Sequence, residues 1–148
     1  MEISYSEEAV VEAPPETAYA YRLDFGKTLP EYNPNVSNMR RTHGGDEAGT
    51  AGTYEFDVTM PEMGGTLPTK LHVVEANEPA RIVNETQSGV FTAREDVTFT
   101  RTEGGTRVRF DVTVSFPDDM AAVAPIAERS GREQVRLELD HMKKHLEA

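Results

Sequence analysis

Residues 91–99 alternate in character, and the alternation sets one carboxylate in an apolar row. Phe91, Ala93, Glu95, Val97 and Phe99 share one face of a strand, and Thr92, Arg94, Asp96 and Thr98 share the other. A carboxylate at Glu95 would lose water there, the setting in which a carboxyl can serve as a general acid or base. A bulge at this point would instead return it to solvent. Tyr19, Tyr32 and Tyr54 are the second set of candidates. Each joins a large apolar body to one hydroxyl, which suits orienting an aromatic or lipid-like ligand at a cavity wall or mouth. Simple core packing is the alternative for each. His141 and His145 are four apart on a helical segment, a spacing that can chelate a metal. No third ligand is evident beside them and neither lies on the apolar stripe, so a solvated helix face is expected and no metal. The chain has no cysteine, and no serine stands in a nucleophile-elbow motif, which removes the common nucleophiles. The glycine pairs at 44–45, 64–65 and 104–105 do not open a helix after a strand, so they read as turns and not as phosphate loops. No cofactor is implied.

The elements that must position these groups follow from periodicity. A first strand is expected over 3–12, with Ile3, Tyr5, Ala9 and Val11 on one face and Glu7 interrupting the row. Pro14 and Pro15 end it and open a helix over 16–24, with Glu16 at its positive end and Ala18, Tyr19 and Leu23 inward. A short helical piece over 28–32 stops at Asn33-Pro34-Asn35. From there the period is two. Strands are expected over 36–42, 53–60, 67–76, 80–87, 91–99 and 107–114. Tyr54, Phe56 and Val58 point one way in the second of these, and Leu71 and Val73 in the third. The parity of 80–87 stays open. Gly104 and Gly105 mark a tight hairpin that supplies its own φ > 0 positions. Beyond it Val108, Phe110, Val112 and Val114 alternate with Arg107, Arg109, Asp111 and Thr113. One apolar face per strand is the mark of an antiparallel sheet with one wet side. A closing helix runs to about Leu146, capped by Asp118 or Asp119. Its stripe is Val135, Leu139, Met142 and Leu146, with a bend expected where Pro125 and Gly131 fall.

This order of elements predicts an α+β architecture. A curved seven-stranded antiparallel sheet grips a long C-terminal helix, with two short helices after strand 1, in one domain over 1–148. The space between sheet and helices can remain hollow. The segment Val11-Glu12-Ala13-Pro14-Pro15-Glu16-Thr17-Ala18-Tyr19 resembles the V-x-A-P-x-E-x-V-aromatic opening of the START-like (SRPBCC) helix-grip superfamily. Asp24 followed by Leu29-Pro30-Glu31-Tyr32-Asn33-Pro34-Asn35-Val36 is similar to the D…LP-x-W-x-P-x-V of its polyketide cyclase/dehydrase and lipid-transport branch, with Tyr32 where tryptophan is usual. The likeness covers the whole chain and implies the fold more specifically than the job, because the superfamily hosts carriers, cyclases, hydrolases and co-chaperone-like domains.

Three functions are therefore carried forward. The first is binding or carriage of a hydrophobic small molecule (lipid, isoprenoid or aromatic polyketide). Its cavity would be walled by Tyr19, Tyr32, Tyr54, Phe56, Leu71 and Val73 from the first half of the chain. Val97, Phe99, Phe110, Val112, Leu139 and Met142 would close it from the second half. The second is a cyclase or dehydratase using Glu95 and a tyrosine. The third is a co-chaperone-like interaction module with a filled core and an exposed apolar patch. A buried polar pair involving Glu95 favours the enzyme, and purely apolar walls favour the carrier.

Charge narrows the partners. The 148 residues carry 26 Asp+Glu against 15 Lys+Arg, a net charge of -11. That disfavours nucleic acid and anionic membrane surfaces, which need a basic face. No window approaches a membrane span, and the first residues lack the basic and apolar regions of a signal peptide. A cytoplasmic monomer or homodimer with a hydrophobic small-molecule partner is expected. The segment 60–65, with Met60, Met63, Gly64 and Gly65, suits an adaptable lid over the cavity or an ordinary surface loop.

Overall fold

In the computed structural model, which describes residues 1–43, 52–60 and 64–147, one strand, two short helices, six strands and a long helix follow in the order the periodicities require. Strand β1 (Glu2–Val11) leads into helices α1 (Pro15–Leu23) and α2 (Phe25–Tyr32). Strands β2 (Val36–His43), β3 (Thr53–Met60), β4 (Gly65–Asn77), β5 (Arg81–Ser88), β6 (Phe91–Thr102) and β7 (Gly105–Ser115) follow. A 3₁₀ turn over Asp118–Val123 then leads into α3 (Ala124–Leu146). The seven strands form one curved sheet in the order β1-β7-β6-β5-β4-β3-β2, with every neighbouring pair antiparallel. The α+β helix-grip reading therefore holds. No helix among the described residues is long and apolar enough to cross a membrane.

Local chemistry explains most boundaries. Pro15 occupies the first turn of α1, where its missing N–H removes no bond, and Glu16 sits in the same turn. Helix α2 starts earlier than expected, at Phe25, because that ring is buried and anchors the first turn. At the β6–β7 hairpin the two glycines do different work. Gly104 has φ +91°. Gly105 is there for closeness instead, since a Cβ would lie 2.1 Å from the Val11 carbonyl oxygen.

Strand β5 resists parity analysis for a physical reason. A bulge in β4 lets Val73 pair with Asn84 and Glu75 with Val83, skipping one residue. Ile82, Val83 and Asn84 are then all buried, although adjacent residues of a strand point to opposite faces.

The beginning of the last helix differs from expectation. Neither Asp118 nor Asp119 caps it by a side-chain bond. Asp118 instead accepts a hydrogen bond from the Met1 amine at 2.6 Å. No break appears within α3 itself, which is continuous from Ala124, with Pro125 in its first turn. Gly131 does not loosen it. A Cβ there would fall 1.9 Å from the Tyr5 hydroxyl, so the glycine is what lets β1 and α3 approach. Glu7, which interrupts the apolar row of β1, reaches the same helix and pairs with Arg132 at 3.2 Å and Arg136 at 2.8 Å.

Candidate functional site

The grip is filled at one end and hollow at the other. At the filled end, α1 and α2 lie over the sheet and aromatic pairs take up the space. Tyr19 meets Phe99 edge to face at 5.7 Å, and Phe25 meets Tyr54 at 5.8 Å. Leu71, Val73, Val97, Phe110, Leu139 and Met142 complete this core. Nine residues expected on a cavity wall, these six with Tyr19, Tyr54 and Phe99, are buried in this core and are not among those that line the cavity described next.

At the other end lies a cavity of about 440 Å³, within the size range of small-molecule sites. Phe56, Val58, Val112 and Val114 from the sheet, Val135 from α3 and Leu29 from α2 give it apolar walls. Of the residues singled out from sequence, Tyr32, Phe56, Glu95 and Val112 line it. Thr59, Met60, Ser88 and Phe91, exposed or half-buried, mark its solvent side. Of the suggested lid, Pro61, Glu62 and Met63 lie outside the described residues, and Gly65 belongs to β4.

One wall of the cavity is polar, and two helices make it so. In α1, Pro15, Ala18, Tyr19 and Arg22 form the buried stripe, so Arg22 takes a place that helical spacing reserves for an apolar side chain. In α3, Glu138 falls on the stripe with Val135, Leu139 and Met142. Each charge is buried, with 3% of either residue exposed, and each satisfies the other. Arg22 Nη1 donates to Glu138 Oε1 at 2.6 Å and Oε2 at 2.8 Å. Its Nη2 donates to Asn84 Oδ1 at 3.0 Å and stands 3.5 Å from Glu95 Oε2. The guanidinium plane is held between the rings of Phe25 at 4.8 Å and Phe110 at 4.9 Å. The Tyr32 hydroxyl donates to Glu138 Oε1 at 2.9 Å. Asn84 Nδ2 donates to Glu95 Oε1 at 3.1 Å. Glu95 therefore faces the grip as the alternation requires, but within a hydrogen-bonded cluster and with its side chain 22% exposed.

The electrostatics follow from burial. Desolvation alone pulls the Arg22 guanidinium down, but the Glu138 and Glu95 charges outweigh it and the net shift is upward. Burial pushes the Glu138 carboxyl above the ordinary range. Arg22 opposes this and Glu95 adds to it. Burial also holds the Tyr32 phenol well above its ordinary value, reinforced by the charge of Glu138. Tyr5, whose ring lines the cavity over Gly131, is raised mainly by burial and then by Glu95. Two carboxylates thus share one guanidinium, with a neutral phenol donating to the deeper of them. Such a cluster can orient a polar ligand atom or hold a proton beside an apolar chamber.

Tyr5, Arg22, Asn84 and Glu138 are the members sequence reasoning passed over. The available signal was a charge on each helical stripe, because a buried charge needs a partner. His141 is not simply solvated either. Its Nδ1 shares a hydrogen bond with the Tyr21 hydroxyl, its Nε2 is 3.6 Å from Glu31, and His145 stacks on it at 5.8 Å. Among the described residues no group of three or more metal-ligating side chains converges.

Comparison with known proteins now bears on this architecture. A family model described as "Polyketide cyclase / dehydrase and lipid transport" matches residues 2–147. No curated protein sequence matches. Among solved structures, the di-domain ARO/CYC StfQ from the steffimycin biosynthetic pathway superposes with a TM-score of 0.80 at 17% identity, over 99% of this chain and 51% of that one. The di-domain ARO/CYC BexL from the BE-7585A biosynthetic pathway gives 0.82 at 17% identity, over 99% and 50%. TTHA0849 from Thermus thermophilus gives 0.76 at 18% identity, over 99% and 97%. The chain spans about half the length of the two di-domain proteins. At these identities the likeness is one of fold.

Proposed function

The chain belongs to the polyketide cyclase/dehydrase and lipid-transport family, and from that premise we propose that it binds a hydrophobic small molecule in the cavity between sheet and helices. The observation that carries this reading is the hollow end of the grip, about 440 Å³ walled by Leu29, Phe56, Val58, Val112 and Val114. Apolar area leaving water drives the binding, at about 25 cal/mol per Å² before ordering costs. The test is occlusion. Ala127 lines the cavity from α3, and Ala127→Trp fills it. Native mass spectrometry of freshly purified protein finds a bound apolar molecule on the parent chain and not on the variant. An equal ligand load on both, with both folded, overturns the reading.

A second reading has its own support. The di-domain ARO/CYC proteins come from biosynthetic pathways, and the Tyr32–Glu138–Arg22–Glu95 cluster adjoins the apolar chamber. On this reading Glu95 is the group that takes a proton from a bound polyketide-type substrate, since it is the more exposed of the two acids. Glu95→Gln then keeps ligand binding and loses turnover. The interaction-module reading has less behind it, because it needs a filled core.

A further inference from the structure

The polar wall is unbalanced in charge and in hydrogen-bonding capacity. Glu95, Glu133 and Glu138 line the cavity, and among the described residues no lysine, arginine or histidine does. Residues 44–51, 61–63 and 148 contain no lysine or arginine either. Arg22 is sealed behind the wall with both terminal nitrogens already committed to Glu138 and Asn84, and Arg132, which lies over the Tyr5 ring, is paired with Glu7 and Glu128. Several donors beside Glu95 and Glu138 are also engaged. Tyr32 donates to Glu138 and Asn84 to Glu95. Asn33 donates to Gln134, and the hydroxyls of Thr69 and Ser88 bond each other at 2.7 Å. The Glu95 carboxylate has about four lone-pair sites and fills only part of them through Asn84 and Arg22. With Glu133 exposed to solvent, it is the half-buried acceptor of the chamber that keeps capacity to spare.

Resting on the binding function above, we propose that the cavity selects ligands whose polar end is a neutral hydrogen-bond donor, such as a hydroxyl or amide. It rejects ligands ending in a carboxylate, phosphate or sulfate, and Glu95 is the residue that sets the choice. A donor completes the unused acceptor positions of Glu95. An anion meets a like charge with no free cation to offset it, in surroundings where charges act more strongly than in water. Free fatty acids are thereby excluded, and hydroxylated aromatic or terpenoid-like molecules fit.

The test uses a size-matched pair, 2-naphthamide and 2-naphthoate, with 2-ethylnaphthalene as an uncharged probe lacking a donor. Titration calorimetry at neutral pH finds naphthamide bound at least about tenfold more tightly than naphthoate. Glu95→Gln, checked for native circular dichroism, brings the two within about threefold. Equal affinities on the parent chain overturn the selectivity and leave the binding function standing. A preference that Glu95→Gln leaves unchanged overturns the role of Glu95. Failure of all three probes, ethylnaphthalene included, overturns the binding function and this inference with it.

Discussion

Replacing Arg22 by methionine tests whether this one guanidinium makes two acids tolerable beneath the cavity. Methionine keeps an unbranched stem between the Phe25 and Phe110 rings and removes only the fork. Glu138 then loses donors at 2.6 and 2.8 Å, Asn84 loses one at 3.0 Å, and Glu95 loses its counter-charge at 3.5 Å. Breaking a buried pair from one side costs about 3–5 kcal/mol, a large share of a total of about 5–15 kcal/mol. The melting temperature falls by roughly 10 °C for a chain of this size. The pH dependence carries the sign. Arg22 opposes the upward shift of Glu138, so its loss raises the folded-state pKa further above the unfolded value. Between those two values the folded variant holds a proton that the unfolded chain has released, and stability falls as pH rises. The deficit relative to the parent is therefore largest near neutrality and shrinks on acidification toward about pH 5. Urea unfolding of both proteins at the two pH values measures it. A double variant, Arg22→Met with Glu138→Leu, recovers much of the loss because no charge is left stranded. A single-variant deficit under about 1 kcal/mol, equal at both pH values, would refute the buried-pair account.

Two further outcomes follow from the same packing. Gly131→Ala drives a methyl into the Tyr5 hydroxyl, and the overpacking, about 1–3 kcal/mol, outweighs the helix-propensity gain of about 1 kcal/mol. Thermal unfolding shows a net loss, and Tyr5→Leu in the same chain restores stability. The phenols of Tyr5, Tyr21, Tyr32 and Tyr54 all have raised pKa values, with burial the leading cause. Their stabilising contribution is complete below the unfolded value of about 10 and fades as pH climbs through the folded values. Ultraviolet titration therefore shows these four ionising together with alkaline unfolding, and ionisation of more than one of the five tyrosines near pH 10 in the folded protein would contradict their burial.

The sheet was legible because a strand declares its buried face every second residue. Val108, Phe110, Val112 and Val114 against Arg107, Arg109 and Asp111 leave little choice of register, and Glu95 followed from the same rule one strand away. The polar cluster was not legible, because it joins α1 to α3 across 116 residues of sequence. A single Arg or Glu on a helix reads by default as a solvated group. Only the two seen together reveal that Arg22 and Glu138 replace apolar side chains on facing stripes. The cavity's position was hidden for another reason. Inward-facing residues look alike whether they touch a helix or a hollow, so Leu71 and Val112 could not be told apart before the placement of α1 and α2 was known. Gly131 had the opposite problem: it read as a weakness in a helix, while its purpose lies in the ring of Tyr5.

The sheet order has a consequence for biogenesis. Strands β2 to β7 pair with sequence neighbours, but β1 pairs with β7, Glu2 opposite Ser115 and Val11 opposite Thr106. On the ribosome the first strand is made before all the others and waits for its partner until β7 has been synthesised. The guanidinium of Arg22 waits longer still, since Glu138 lies 116 residues further along the chain. The central meander can assemble first, whereas the edge strand and the ligand chamber close only after β7 and α3 have emerged. Loop closure over such distances slows folding, and the unpaired edges of that late intermediate are where a nascent molecule is most open to aggregation.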